Sequence, residues 1–133
     1  MVMNIGQFLS GNYDYVRQDI EAVVEQAHSA GVLVKVIQES CYLARPQIEV
    51  ACQLTLEAGA DFVKTSTGFG KSSATPEIIE TMIKSVNGQI GVKASGGIKT
   101  WEQAVGYLKQ GATRLGIGST QDILESRIAT ETY

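Results

Sequence analysis

Lys35, Lys64 and Lys93 stand 29 residues apart at each step, and each lies toward the end of a run of apolar, β-type residues: VLVKVI (32–37), DFVK (61–64) and IGVKAS (90–95). A fully buried, unpaired ammonium is costly, so a lysine in such a run is either a charged group at the rim of a sheet or a reactive amine. If the three runs are neighbouring parallel strands, the amines lie side by side, about one strand spacing of ~5 Å apart. An amine with a second ammonium nearby, in a partly desolvated pocket, has its pKa lowered, because both influences disfavour the charged form. It becomes a nucleophile near neutral pH, adds to a carbonyl and forms a Schiff base, an electron sink for carbon–carbon bond making or breaking beside it. The competing reading makes Lys35 and Lys93 strand-end residues that simply reach solvent.

Glycine-rich turns follow the strand candidates in TSTGFG (65–70), SGGIKT (95–100) and GIGST (116–120). The last two run directly into helix starts, where free N–H groups and the positive helix end form an anion site. In barrels, the loops after the last two strands commonly hold a phosphate. A Schiff-base lysine beside such a cradle implies a phosphorylated carbonyl substrate.

The elements that must carry these residues alternate regularly. Val2 to Ile5 reads as a strand. Asn12 then opens a helix with Val16, Ile20, Val23, Val24 and Ala27 at helical spacing, stopped by Gly31. Pro46 fits the first turn of a second helix, with Ile48, Ala51, Thr55 and Ala58 on one face and Gly59 as terminator. Thr75 caps a third helix with Pro76 at its first position. Thr100 with Gln103, and Ser119 with Asp122, stand at capping-box spacing and bracket the strand TRLGIG. Five βα units result, and nearly all-apolar strands alternating with helices predict a parallel sheet covered by helices, an α/β fold.

Composition bounds the partners. The chain has 133 residues, 44% of them hydrophobic, enough for a single core and one domain spanning 1–133. A net charge of −3, with acidic and basic residues interspersed, offers no field for nucleic acid and no cationic membrane surface. Cys41 and Cys52 lack metal-type spacing and His28 has no ligand companions, so a reducing cytoplasm and no metal are expected. MVMNIG is too short for a signal or membrane segment. His28, in the last turn of its helix, is expected to serve the helix dipole at the surface, and Trp101 and Tyr107 to pack rather than stack on substrate.

Together DFVKTSTGFG, GVKASGGIKT, VKVIQESCYL and GATRLGIGST resemble the deoxyribose-phosphate aldolases, class I aldolases of the (β/α)8 barrel fold, over essentially the whole chain. The lysine in VKTSTG is the distinctive element. The resemblance implies reversible cleavage of 2-deoxy-D-ribose 5-phosphate to glyceraldehyde 3-phosphate and acetaldehyde, with no metal or organic cofactor. Carried over by position, Lys64 is the Schiff-base nucleophile, and Lys93 the second lysine, which depresses its pKa and takes part in proton transfer. Lys35 matches a further active-site lysine. Thr65, Gly68, Gly96, Gly97, Lys99, Gly118 and Ser119 match substrate- and phosphate-binding positions.

The chain departs from the family in two respects: the family's catalytic Asp, in a pattern resembling Asp-Met-Val-Met-Asn, is missing, with Met1 in the place just after it, and so are the three βα units that precede it. Eight units of this length would need roughly 230 residues, so five are expected to form part of a barrel. Their uncovered edges favour a homo-oligomer, joined through the first strand (Val2 to Ile5) or the last helix (Ser119 to Ala129), or else an open five-stranded parallel sheet. A catalytically weak structural remnant is the alternative in function. TSTGFGKS (65–72) also approaches a nucleotide-binding phosphate loop, but Thr65 replaces its first glycine and the helix signal comes later, at Thr75 and Pro76.

Overall fold

The computed structural model describes residues 1–125. Four short parallel strands, β1 (Lys35–Ile37), β2 (Phe62–Lys64), β3 (Gly91–Ser95) and β4 (Arg114–Gly116), form one sheet in the order β1-β2-β3-β4. The helices are α1 (Ile5–Leu9), α2 (Tyr13–Ser29), α3 (Arg45–Glu57), α4 (Pro76–Val86), α5 (Trp101–Gln110) and α6 (Thr120–Leu124), with a 3-10 turn at Ser40–Tyr42. Strands added sequentially in one direction by right-handed crossovers put every helix on the same face. That is the winding of a barrel wall, and it lacks the order reversal of a doubly wound sheet.

The helix-covered face holds the core. Val36, Val63, Val92 and Ala94 are buried there, under Val16, Ile20 and Val24 of α2, Ile48, Ala51 and Cys52 of α3, Ile79, Met82 and Val86 of α4, and Tyr107 of α5. Side chains alternate along a strand, so the other face receives Lys35, Ile37, Phe62, Lys64, Lys93 and Arg114.

Helix ends follow local chemistry. The Thr75 hydroxyl accepts from Ile78 N with Pro76 next in line, and Thr100 and Gln103 form the reciprocal box at the start of α5. Gly59 leaves α3 at φ +76°, a conformation that costs glycine nothing.

Four expectations change. Val2 to Ile5 is no full strand: Val2 makes one parallel bridge to Ile37, and then Asn4 caps α1 by accepting from Gln7 N. Four strands pair, so the expected fifth is reduced to that bridge. The run VLVKVI pairs only from Lys35, and Val32 and Leu33 are exposed. Ser119 stands at the N-cap of α6 but its side chain makes no cap bond there. The tail IATETY and the end of the expected last helix lie outside the described residues.

Candidate active site

β2 and β3 run in a register that makes Lys64 and Lys93 direct partners on the open face. Lys64 is the last residue of β2, and Lys93, the middle residue of β3, is level with it toward the carboxyl end of the sheet, where the βα loops gather. Lys35 is not level with them. It pairs with Phe62, while Ile37 stands opposite Lys64, so Lys35 sits two residues nearer the amino end of the same face. There its Nζ lies 5.8 Å from the Phe62 ring centroid, and Arg114 covers the same ring at 4.6 Å. Phe62 can lie flat across β3 because its neighbour is Gly91, where a Cβ would come 2.2 Å from the ring.

Both strand-end amines are held below the usual lysine range. For Lys64, burial is the main cause and the Lys35 charge adds to it, while the Glu39 carboxylate opposes both. For Lys93, burial is again the largest cause, followed by the charges of Lys64, Lys35 and Arg114. The Lys64 charge thus bears on Lys93, and Lys35 adds a like charge that bears on both amines. Lys93 reaches over β4: a Cβ on Gly116 would come 3.0 Å from its Cε.

The loops divide the remaining positions. Thr65 is buried, and its hydroxyl donates to Ser95 O and accepts from Ser95 N, both at 3.0 Å. That is a cross-strand tie rather than the open substrate contact its motif implies. Gly68 lies in the β2–α4 loop at φ +103°, and Gly96 and Gly97 follow β3 at φ +82° and +70°. The two loops meet where Ser73 crosses Gly96: a Cβ on that glycine would come 2.7 Å from the Ser73 hydroxyl. Lys99 is half-buried at the entry to α5, its N–H donating to Gln103 Oε1, and Gly118 and Ser119 precede α6.

One site residue was missed by sequence reasoning. Glu39 is buried in a left-handed conformation at φ 48°, on the continuation of β1 beyond Ile37. Its carboxylate accepts from Thr67 N at 3.1 and 3.2 Å and from the Thr67 hydroxyl. The signal was the break from apolar VLVKVI into polar QES, which a solvent-exposed turn would also produce.

Larger clefts lie elsewhere. One of about 690 Å³ runs between α3 and α4, and one of about 510 Å³ opens at the opposite end of the strands, around Asp61, Gly91 and Thr113. A smaller one, about 330 Å³, reaches Lys64 along the outer side of β1, past Leu33, Lys35 and Ile37. Chemistry selects the lysine site, where two amines stand side by side and both are held below the usual lysine range. Lys71 and Ser72 do not open a helix, Lys71 lying instead over the Tyr42 ring at 5.4 Å, so the phosphate-loop reading lacks its defining geometry. Among the described residues no cluster of His, Cys, Asp and Glu is arranged to hold a metal ion, and no helix is long and apolar enough to cross a membrane.

Comparison with known proteins bears on this arrangement directly. Residues 1–123 match the model of the DeoC/LacD family aldolases. The chain is 54% identical over 125 residues to the deoxyribose-phosphate aldolase of Thermococcus gammatolerans, covering 94% of this chain and 56% of that one. It is 47% identical over 133 residues to that of Clostridium perfringens, covering 59% of it. Among solved structures, the aldolase QR15 superposes with a TM-score of 0.88 at 39% identity over 93% of this chain and 55% of its own. The deoxyribose phosphate aldolase of Aeropyrum pernix, described as tetrameric, superposes with a TM-score of 0.80 at 33% identity over 86% and 49%. The chain thus spans a little over half the length of the curated relatives it matches, its sheet is part of a (β/α)8 barrel, and the chain belongs to the DeoC/LacD family of aldolases.

Proposed function

We propose that this chain carries the Schiff-base chemistry of a deoxyribose-phosphate aldolase, with Lys64 as the nucleophile. The observation that supports it is the register of Lys64 and Lys93, side by side on the open face with both amines lowered. A neutral Lys64 amine adds to the aldehyde carbon of open-chain 2-deoxy-D-ribose 5-phosphate, and loss of water gives the iminium. Removal of the 3-hydroxyl proton breaks the C2–C3 bond, releases glyceraldehyde 3-phosphate and leaves an enamine. Protonation of C2 and addition of water then free acetaldehyde and the amine. Lys93, next to the reacting carbon, is the group that moves protons. Gly96, Gly97 and Lys99 at the start of α5, with Gly118 and Ser119 before α6, hold the phosphate on backbone N–H groups and the Lys99 charge. Gly68 lets the β2–α4 loop turn beside them. No metal or organic cofactor enters this sequence of steps.

Borohydride reduction in the presence of acetaldehyde or deoxyribose phosphate tests the reading. Mass mapping is expected to find the adduct on Lys64, and Lys64→Ala to abolish it. Trapping that survives Lys64→Ala, or no trapping at all by the unaltered chain, overturns the assignment.

A further inference from the structure

Glu39 is bound to the lysine strand on both sides. Gln38 N donates to Lys64 O at 3.0 Å and Ser40 N donates to Thr65 O at 2.9 Å, so the backbone of Glu39 is fixed opposite the Lys64–Thr65 peptide. The Gln38 side chain turns into the helix-covered core, where its Nε2 donates to Cys52 Sγ, and Glu39 is left beside Lys64, whose amine feels its charge. Its left-handed backbone, uncommon for a residue with a side chain, turns the carboxylate under the β2–α4 loop. There it takes every hydrogen bond that Thr67 offers, from both N–H and hydroxyl. The loop crosses so closely that a Cβ on Gly70 would come 3.0 Å from Glu39 Oε1 and 2.7 Å from Cys41 Sγ. A carboxylate buried at this cost, where an apolar side chain would pack, needs a reason beyond the loop it ties down.

We propose that Glu39 is a positioning residue of the lysine site: through Thr67 it fixes the β2–α4 loop over the sheet, and its carboxylate is the counter-charge of Lys64 and of the iminium formed there. This rests on the Schiff-base reading above. Among the described residues, the groups facing Lys64 are otherwise cationic or neutral: Lys35 and Ile37 from β1, Lys93 from β3, Arg114 beyond it on β4, and the Met1 amino group beside β1. Glu39 supplies the opposing charge, raising the Lys64 pKa against burial and Lys35. A site made only of amines favours a neutral nucleophile but repels the cation it must become, and one buried carboxylate balances these demands.

The test is the pH profile of borohydride trapping by acetaldehyde for the unaltered chain, E39Q and T67V. Loss of the carboxylate lowers the Lys64 pKa, so E39Q moves the acid limb to lower pH and traps about three- to tenfold faster on that limb. On the plateau it traps less, because the iminium has lost its counter-charge. T67V keeps the charge, so its acid limb stays in place, while protease cleavage within 66–73 becomes faster. If E39Q is unfolded at the assay temperature, E39D carries the same test, with the same sign and a smaller shift. An acid limb that does not move in the folded Glu39 variant overturns the proposal. Absence of any adduct in the unaltered chain would instead overturn the Schiff-base reading itself.

Discussion

Lys64 sits between influences of opposite sign, and that makes its titration readable by single substitutions. Burial and Lys35 lower its pKa while Glu39 raises it. Repulsion between neighbouring amines is reciprocal, so Lys64, which depresses Lys93, is depressed in turn whenever Lys93 is charged. Lys35→Ala and Lys93→Ala therefore both raise the Lys64 pKa, shift the acid limb of trapping to higher pH, and slow neutral-pH trapping by roughly two- to tenfold. The direction is opposite to that for Glu39→Gln, so one set of borohydride profiles reads both signs, and a shift to lower pH in either lysine variant would contradict the charge arrangement. The two paired lysines were legible from their 29-residue period because a repeated βα unit repeats its strand ends. The position of Lys35 was not, since a spacing in sequence does not fix the stagger between strands, and two residues of stagger moved it to the Phe62 ring.

Among the elements, the helices from α2 to α5 were readable from their apolar spacing, reinforced by caps at Thr75 and Thr100, although Asn12 makes no cap bond at the start of α2. Short segments decided otherwise. Val2 to Ile5 has β-type residues, but Asn4 is a stronger local instruction, and its side chain starts a helix one residue later. His28 stands exposed in the last turn of α2, as expected, and adds a tertiary contact: its Nε2 lies 2.9 Å from Asp61 Oδ2, the same oxygen that accepts from Val34 N at 2.7 Å. Asp61 thereby joins the end of α2 and the approach to β1 to the start of β2. Burial raises the pKa of this carboxyl, but the bonds from His28 and Val34 outweigh it and hold the group below its ordinary value. The folded value is the lower one, so the bonds stabilise the fold above the unfolded pKa of about 4 and are lost as pH falls through the folded pKa. Asp61→Ala is expected to cost about 1–3 kcal/mol in urea unfolding at pH 7, because Val34 N loses its partner. The gap to the unaltered chain should close in acid; a gap that stays constant down to pH 2 would assign the loss to packing.

At the scale of the molecule, sequential strand order with every helix on one face makes this an open piece of barrel wall. The inner face is wetted, and among the described residues β4 pairs only with β3. Parallel edges left unpaired invite a second chain. We expect the isolated 133-residue chain to self-associate, with sedimentation shifting between micromolar and tenfold higher concentrations; a single monomeric species throughout would show that water satisfies the edges. The contact expected along the first strand is partly taken within the chain, since Met3 N donates to Ile37 O and Ile37 N to Met1 O, while Val32 and Leu33 ahead of β1 lie open. The alternation of side chains across the sheet also has an evolutionary reading. Val36, Val63 and Val92 answer to packing, whereas Lys35, Lys64 and Lys93, one residue away on each strand, stand on the open face outside the core. Selection can therefore rewrite one set while the other stays fixed, and a mutagenesis library confined to the open-face positions of these strands explores new chemistry without spending its members on unfolded protein.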